Sequence, residues 1–309
     1  MPEAHTLAVD EPTRLDQLLA RTWDTLDRRQ IRSLITDGRV LVNGIEARKP
    51  GQRLVPGDEV DVRLPDLMPT EAPSLPLGLT LDVLYEDEVL RVVDKPAGLS
   101  VRRTRSPDEA TLPQILAERY PDNAHIGGVN RAGVVTTLGE EVSGPILVGK
   151  DEETYRELRR LVKRQYVIET YTALVEGHVR GEFTIEQPIA NMKHTRSRMM
   201  IAREGRPAVT YVRGQQHYRE HGSDYTLVYV RPETARMHQI RVHLAYYGFP
   251  IVGDRAYGSR RQTMLPDRLF LHLSRLQFPH PVTEQEVSIE SPLPPELHSV
   301  LTFMRRPKY

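Results

Sequence analysis

The chain of 309 residues has no cysteine. That excludes disulfides, thiolate chemistry and zinc held by cysteine sulfur, and it fits a reducing, cytoplasmic setting. Net charge is missing too: 42 Lys and Arg balance 42 Asp and Glu. A nucleic-acid partner is therefore not announced by bulk charge and needs a locally basic surface. No run of about 18 apolar residues occurs, so no membrane-spanning helix is expected. The opening MPEAHTLAVDEP is acidic and lacks an apolar segment, which argues against a secretory signal. There is no G-x-x-x-x-G-K loop, so nucleotide hydrolysis is not expected. His238 and His243 are five apart rather than the i, i+4 of a helical zinc pair, and no acid joins them at useful spacing. Neither a metal nor a cofactor is expected.

What is present is a hydrophobic content of 39%, enough for a packed core, and a length that suits a large domain with or without a small one. Glu11–Thr25 carries Leu15, Leu18 and Leu19 at helical spacing. Leu26–Asp37 reads as a second helix, with Ile31, Leu34 and Ile35 on its apolar side and Arg28, Arg29 and Arg32 on its basic side. Gly38 ends it. Val40–Val42 reads as a strand, Asn43-Gly44 as a tight turn, Pro56-Gly57-Asp58 as another turn and Val60–Val62 as a strand. Pro65, Pro69, Pro73 and Pro76 then mark residues 65–78 as a stiff linker. The expected domains are 13–64 and 79–304.

The larger domain opens with a strand pair around the acidic turn Glu86-Asp87-Glu88 and closes it with Asp94-Lys95-Pro96-Ala97-Gly98. Arg102, Arg103 and Arg105 make that edge basic. Asp151–Gln165 reads as a helix with Tyr155, Leu158, Leu161 and Val162 inward and Arg156, Arg159, Arg160, Lys163 and Arg164 outward. Its basic side is either a backbone-contact surface for nucleic acid or a solvated face. Lys193, His194, Arg196, Arg198 and Arg203 form another basic stretch with few acids. After a strand at Tyr225–Val230, Pro232-Glu233-Thr234 reads as a helix start, with Met237, Ile240, Leu244 and Tyr247 on one apolar stripe and Gly248 as the stop. Arg236 and His243 flank that stripe on one side, His238 and Arg241 on another. A buried cation there needs a partner.

The stretch Thr13–Leu64, with RLDQLLA, DGRVLVNG and PGDEV, resembles the alpha-L RNA-binding module first described in a small-subunit ribosomal protein. The resemblance implies that Arg28, Arg29, Arg32 and Arg39 present cations to RNA phosphates. The stretch Arg236-Met237-His238-Gln239-Ile240-Arg241-Val242-His243-Leu244, followed by Gly248, Pro250, Ile251, Gly253, Asp254, Tyr257 and Gly258, resembles a signature of the large-subunit ribosomal pseudouridine synthases of the RluA/RluD type. Leu269–Pro281 resembles a further element of that family. The resemblance runs from about Thr13 to Met304, and it implies an α+β protein: the small RNA-binding domain plus a mixed-sheet domain with a central basic cleft. It places Lys95 near RNA or the cleft, Tyr171 under the target uridine, and Arg102, Arg103, Lys193, Arg196, Arg198, His238 and Arg241 at RNA.

One motif departs from the family pattern. Gly133–Lys150 reads GVVTTLGEEVSGPILVGK, where the family has G-V-V-H-R-L-D-x-x-T-S-G-L-L-V-x-x-K. Thr136 stands for His, Thr137 for Arg, Gly139 for the catalytic Asp and Val142 for Thr. Glu169 likewise stands where the family has a lysine, two residues before Tyr171. Converting uridine to pseudouridine breaks a glycosidic C–N bond, and the family Asp starts that step. A nucleophile or base must be a side chain with a lone pair at that point, and glycine has none. Glu140 and Glu141 are neighbours, but one residue moves a side chain ~3.4 Å along an extended chain and onto its other face. A misplacement of ~1 Å can cost about a hundredfold in rate.

The sequence thus points to an RNA-binding protein of this family without catalysis, its partner foremost ribosomal RNA, with contacts to the ribosome or its assembly factors. An active isomerase using Glu140 or Glu141 is the alternative, and a protein scaffold with no RNA role is a third reading. Gly139 is expected to face Arg236 across the cleft, leaving Arg236 to pair with Glu140, Glu141, a phosphate or water.

Overall fold

The computed structural model describes residues 4–23, 28–63, 81–102, 110–128, 130–192, 195, 198–258, 264, 265 and 267–304, with backbone alone for 4 and 28–30. The N-terminal unit comprises β1 (Ala4–Ala8), β2 (Thr13–Arg14), α1 (Leu15–Thr22), α2 (Arg28–Thr36), β3 (Val40–Val42), β4 (Ile45–Glu46), β5 (Arg53–Leu54) and β6 (Glu59–Arg63). Its main sheet is antiparallel in the order β1-β6-β3-β4. Asn43 (φ 51°) and Gly44 (φ 76°) are both left-handed, as a two-residue hairpin turn requires. Leu15, Leu19, Ile31, Leu34, Ile35, Val40, Val60 and Val62 bury into a core of their own. The expected order of helix, helix, strand, turn and strand is present. The sequence reading missed β1, because its alternation is hidden in a polar stretch. Its ladder from Ala4↔Arg63 to Ala8↔Glu59 starts the packed unit ahead of Thr13. The segment 65–78, read as a linker, lies outside the described residues.

The larger unit holds β7 (Asp82–Glu86), β8 (Leu90–Lys95), α3 (Leu112–Arg119), β9 (Gly144–Gly149), α4 (Glu152–Lys163), β10 (Ile168–Glu176), β11 (Glu182–Glu186), β12 (Ile189–Asn191), β13 (Met199–Ile201), β14 (Val209–Glu220), β15 (Ser223–Pro232), α5 (Gln239–Tyr246), β16 (Leu271–Pro279), β17 (Glu286–Glu290) and α6 (Pro295–Phe303). Six strands pair antiparallel in the order β11-β14-β15-β10-β16-β17, and three in the order β7-β8-β9. The two sheets meet where Ser143 bridges His272 in parallel, with the Leu273 N–H donating to Ser143 O at 2.8 Å. That parallel bridge makes the joined sheet mixed. Gly144 sits at the junction with φ 129°, and a Cβ there would lie 2.4 Å from Leu273 O. Only glycine lets the strands approach this closely.

One helix begins later than the sequence suggests. The strand β15 runs on to Pro232, and α5 begins at Gln239 behind His238, whose φ of 55° is left-handed. Residues 233–238 are therefore irregular chain. Ile240 and Leu244 are buried as the stripe required, but Met237 and Tyr247 are exposed. Helical spacing consequently says nothing about where Arg236 points.

Candidate functional site

Residues 136–143 form the loop that delivers the altered motif. Val142 N–H donates to Gly139 O at 3.1 Å, closing a reverse turn with Gly139, Glu140 and Glu141 exposed. Thr136 is buried, and its hydroxyl accepts from Leu147 N–H at 3.0 Å, while Thr137 is exposed. Gly139 has no left-handed φ. A Cβ built on it meets only Val142 Cγ2 at 3.5 Å, an ordinary van der Waals contact. The turn leaves room for a side chain at 139; the sequence supplies none.

Three cations hold this turn, Lys95 and Arg241 buried and Arg268 partly so. Lys95 Nζ donates to Pro96 O at 2.8 Å, to Leu99 O at 2.9 Å and to Glu140 O at 3.2 Å. Burial, reinforced by the charge of Arg268, pushes the Lys95 ammonium down to about 7 against the pull of Glu140 and Asp94. Arg268 donates from Nη1 to Glu141 O at 2.7 Å and from Nη2 to Ser143 Oγ at 2.6 Å. Ser143 Oγ also meets His272 Nδ1 at 2.9 Å. The third cation is Arg241. Its Nε and Nη2 hold both oxygens of Asp254 at 2.8 and 2.7 Å, and its Nη1 reaches Glu141 Oε2 at 2.5 Å. Burial favours the neutral forms of this pair, but the two-point hydrogen bond and mutual charge outweigh it: the Asp254 carboxyl is held below its usual range and the guanidinium above.

The expected pairing of Gly139 with Arg236 is therefore replaced. The arginines that reach the altered loop are Arg241 and Arg268. Arg236 lies in the irregular chain before α5, with Nε on Pro207 O at 3.1 Å and Nη1 on Ala235 O at 3.2 Å. Arg241, expected at RNA, is 5% exposed and saturated by two carboxylates. Lys95, also expected at RNA or the cleft, is fully buried beneath the loop. The reason is the same for both: each cation is consumed by backbone or carboxylate oxygens that the local sequence pattern does not reveal.

Residues 89–246 match the model of the RNA pseudouridylate synthase family, and residues 13–60 match that of the S4 domain. The chain belongs to the RNA pseudouridylate synthase family. It is 36% identical over 294 residues to an uncharacterized RNA pseudouridine synthase of Bacillus subtilis, covering 95% of this chain and 94% of the relative. It is 33% identical over 304 residues to ribosomal large subunit pseudouridine synthase D of Escherichia coli, covering 94% and 90%. Among solved structures it resembles human RNA pseudouridylate synthase domain containing 1, with a TM-score of 0.59 and 27% identity over 72% of this chain and 87% of that one.

Within this family member, Tyr171 is 7% exposed and donates its hydroxyl hydrogen bond to Glu169 Oε2 at 2.7 Å. Burial raises the Glu169 carboxyl, and burial together with Glu169 raises the Tyr171 phenol well above its usual value. Glu169, foreseen as an anion in place of an RNA-facing cation, is thus tied to its own strand. His238 is half-buried, its Nδ1 2.9 Å from Tyr257 OH. That hydroxyl also accepts from Met199 N–H at 2.8 Å. Arg32, Arg39, Arg102 and Arg198 are exposed, free to meet a polyanion from solvent. The Arg28 and Arg29 side chains, Arg103, Lys193 and Arg196 lie outside the described residues; β12 and β13 form the hairpin stem expected beneath the last two. The sequence reading missed Arg268, which no sequence pattern marks. It also missed the role of Asp254, although that residue belongs to the signature. Among the described residues no three His, Cys, Asp or Glu side chains are placed to hold a metal, and no helix is long and apolar enough to cross a membrane.

Proposed function

We propose that this family member binds structured RNA, foremost ribosomal RNA, and does not isomerise uridine. The observation that carries the reading is the turn at Gly139. Its backbone accepts a side chain, yet the position where the family holds its catalytic carboxylate has none. The cation beside the turn, Arg241, is already neutralised by Asp254 and Glu141. The family fold, the S4 domain and the relatives that act on ribosomal RNA support RNA as the partner. The test incubates the purified protein with large-subunit ribosomal RNA transcribed in vitro and maps pseudouridine with carbodiimide. RNA bound and unmodified is the expected result; stoichiometric pseudouridine overturns it.

A second reading has one observation in its favour. Glu141 is the acid that meets Arg241, and its side chain is 52% exposed. An arginine-paired, solvent-facing carboxylate in the altered loop could serve as the missing nucleophile or base. It stands two residues beyond 139, and a displacement of even ~1 Å can cost about a hundredfold in rate. Activity abolished by Glu141→Gln would establish this reading instead.

A further inference from the structure

A groove of about 820 Å³ runs along α4, with Arg206 and Ala235 forming its opposite wall. Its lining carries Arg156, Arg159, Arg160, Lys163 and Arg206 and no carboxylate. In a chain whose formal charge is zero, that is a strong local concentration of one sign. Two of these cations have helix partners: Arg156 pairs with Glu152 and Arg160 with Glu157. For Arg159, Lys163 and Arg206, no carboxylate lies within ion-pair distance among the described residues. Three uncompensated cations from two walls face one cavity.

The walls are built, not incidental. Gln165 Nε2 donates to Glu233 O at 2.9 Å and ties the end of α4 to the chain after β15. Arg236 spans Pro207 O and Ala235 O and so clamps the two segments of the opposite wall together. Arg159 Nη1 donates to Val135 O at 3.1 Å, immediately before Thr136. The groove therefore adjoins the altered loop through its own lining.

We infer that this groove is a phosphate-binding track for an RNA strand, leading to the loop at 136–143. The inference rests on the RNA-binding reading above and assigns a surface to it. The chemistry fits a phosphodiester backbone: several cations in a row and donors on both sides, with Tyr155, Val162 and Ala235 as the apolar part of the lining.

The test measures fluorescence anisotropy of a fluorescein-labelled RNA hairpin against the full chain, from about 50 to 200 mM salt. It compares the unmodified protein with Lys163→Ala/Arg206→Ala, one cation from each wall, both exposed in the fold. A control, Arg219→Ala/Arg275→Ala, removes two cations that are paired with Asp224 and Glu290 elsewhere. With two fewer phosphates neutralised, the slope of log affinity against log salt should fall by about 1.4 to 1.8, and binding should weaken roughly tenfold or more at the upper salt. The control should do neither, and thermal melts should show both variants folded. Binding by the unmodified protein that is matched by the groove variant, or an equal loss in the control, overturns the groove while leaving RNA binding intact. No binding by the unmodified protein overturns the RNA reading and the groove with it. If the double variant melts early, the single variants Lys163→Ala and Arg206→Ala decide, each expected to lower the slope by about 0.7 to 0.9.

Discussion

Arg241 Nη1 and Glu141 Oε2 meet at 2.5 Å, and this hydrogen bond fills the corner of the guanidinium that Asp254 leaves open. The side chains of Arg241 and Asp254 are only 6% and 1% exposed, whereas Glu141 is half in solvent. The two ion pairs therefore differ in what their loss costs. Arg241→Met strands a buried Asp254 carboxylate and should destabilise the fold by about 3–5 kcal/mol. Glu141→Gln should cost under about 1 kcal/mol, because its pair is screened by water. Urea unfolding measures both. The double variant Arg241→Met/Asp254→Asn should recover much of the loss. A single Arg241→Met within about 1 kcal/mol of the unmodified protein would contradict the assignment of this pair as buried and coupled.

Lys95 should leave a mark on the pH dependence of stability. Its folded value is about 7, against an ordinary 10.5, so the unfolded chain holds this proton more firmly than the folded one. Between those values the unfolded state binds more protons, and stability rises with pH. Below the folded value the protein must keep a buried ammonium, and that contribution is gone. The slope approaches about 1.4 kcal/mol per pH unit for one proton. Lys95→Met should be less stable overall, having lost the ties to Leu99 O and Glu140 O, but its stability should rise less from about pH 7 to pH 9. Parallel curves for the two proteins would show that Lys95 keeps its proton throughout.

Much of this fold was legible in the sequence because its signals are local. Asn43-Gly44 dictates a left-handed turn, and the apolar positions Leu158 and Leu161 dictate which side of α4 faces inward. The altered motif was equally legible, since the replacement of Asp by glycine needs no structure to be seen. The site's electrostatics were not. Whether Arg236 or Arg241 faces the loop depends on the left-handed His238, which delays the helix, and a non-glycine residue in that conformation has no reliable sequence signature. The partners of Lys95 and Arg268 are mostly backbone carbonyls brought together by sheet packing, which no side-chain pattern records. The strand β1 escaped because it gains its order only from pairing with β6.

The N-terminal unit should contribute RNA affinity through charge. Arg32 is exposed on α2, whose opposite side buries Ile31, Leu34 and Ile35 in the small core. Arg28→Ala/Arg29→Ala/Arg32→Ala should weaken binding of the labelled hairpin and flatten its salt dependence, by roughly 0.7 to 0.9 in slope for each phosphate no longer neutralised. Removal of residues 1–64 should weaken binding at least as much. Equal affinity of the intact and truncated proteins across the salt titration would remove this unit from the RNA-binding surface.

Gly139 can accept an aspartate without backbone strain, and its Cβ would touch only Val142 Cγ2 at 3.5 Å. The variant Gly139→Asp should therefore fold, within about 1 kcal/mol of the parent. It should nevertheless make no pseudouridine, because the family places its Asp against an arginine and Arg241 Nη1 is occupied by Glu141. Thr136 is a poor place to rebuild the family histidine: it is buried, its hydroxyl satisfies Leu147 N–H, and a larger ring there would overpack the core at a cost of about 1–3 kcal/mol. Thr137 is exposed and can take the family arginine without repacking. The combination that should work is Thr137→Arg, Gly139→Asp and Glu141→Ala, which supplies the carboxylate, frees its arginine and restores the family's cation at 137. Carbodiimide mapping after incubation with large-subunit ribosomal RNA reads the outcome: pseudouridine from the triple variant, and none from the parent or from Gly139→Asp alone. If Gly139→Asp alone is as active as the triple variant, the Arg241–Glu141 pair does not hold the loop silent, and the missing carboxylate is the whole defect.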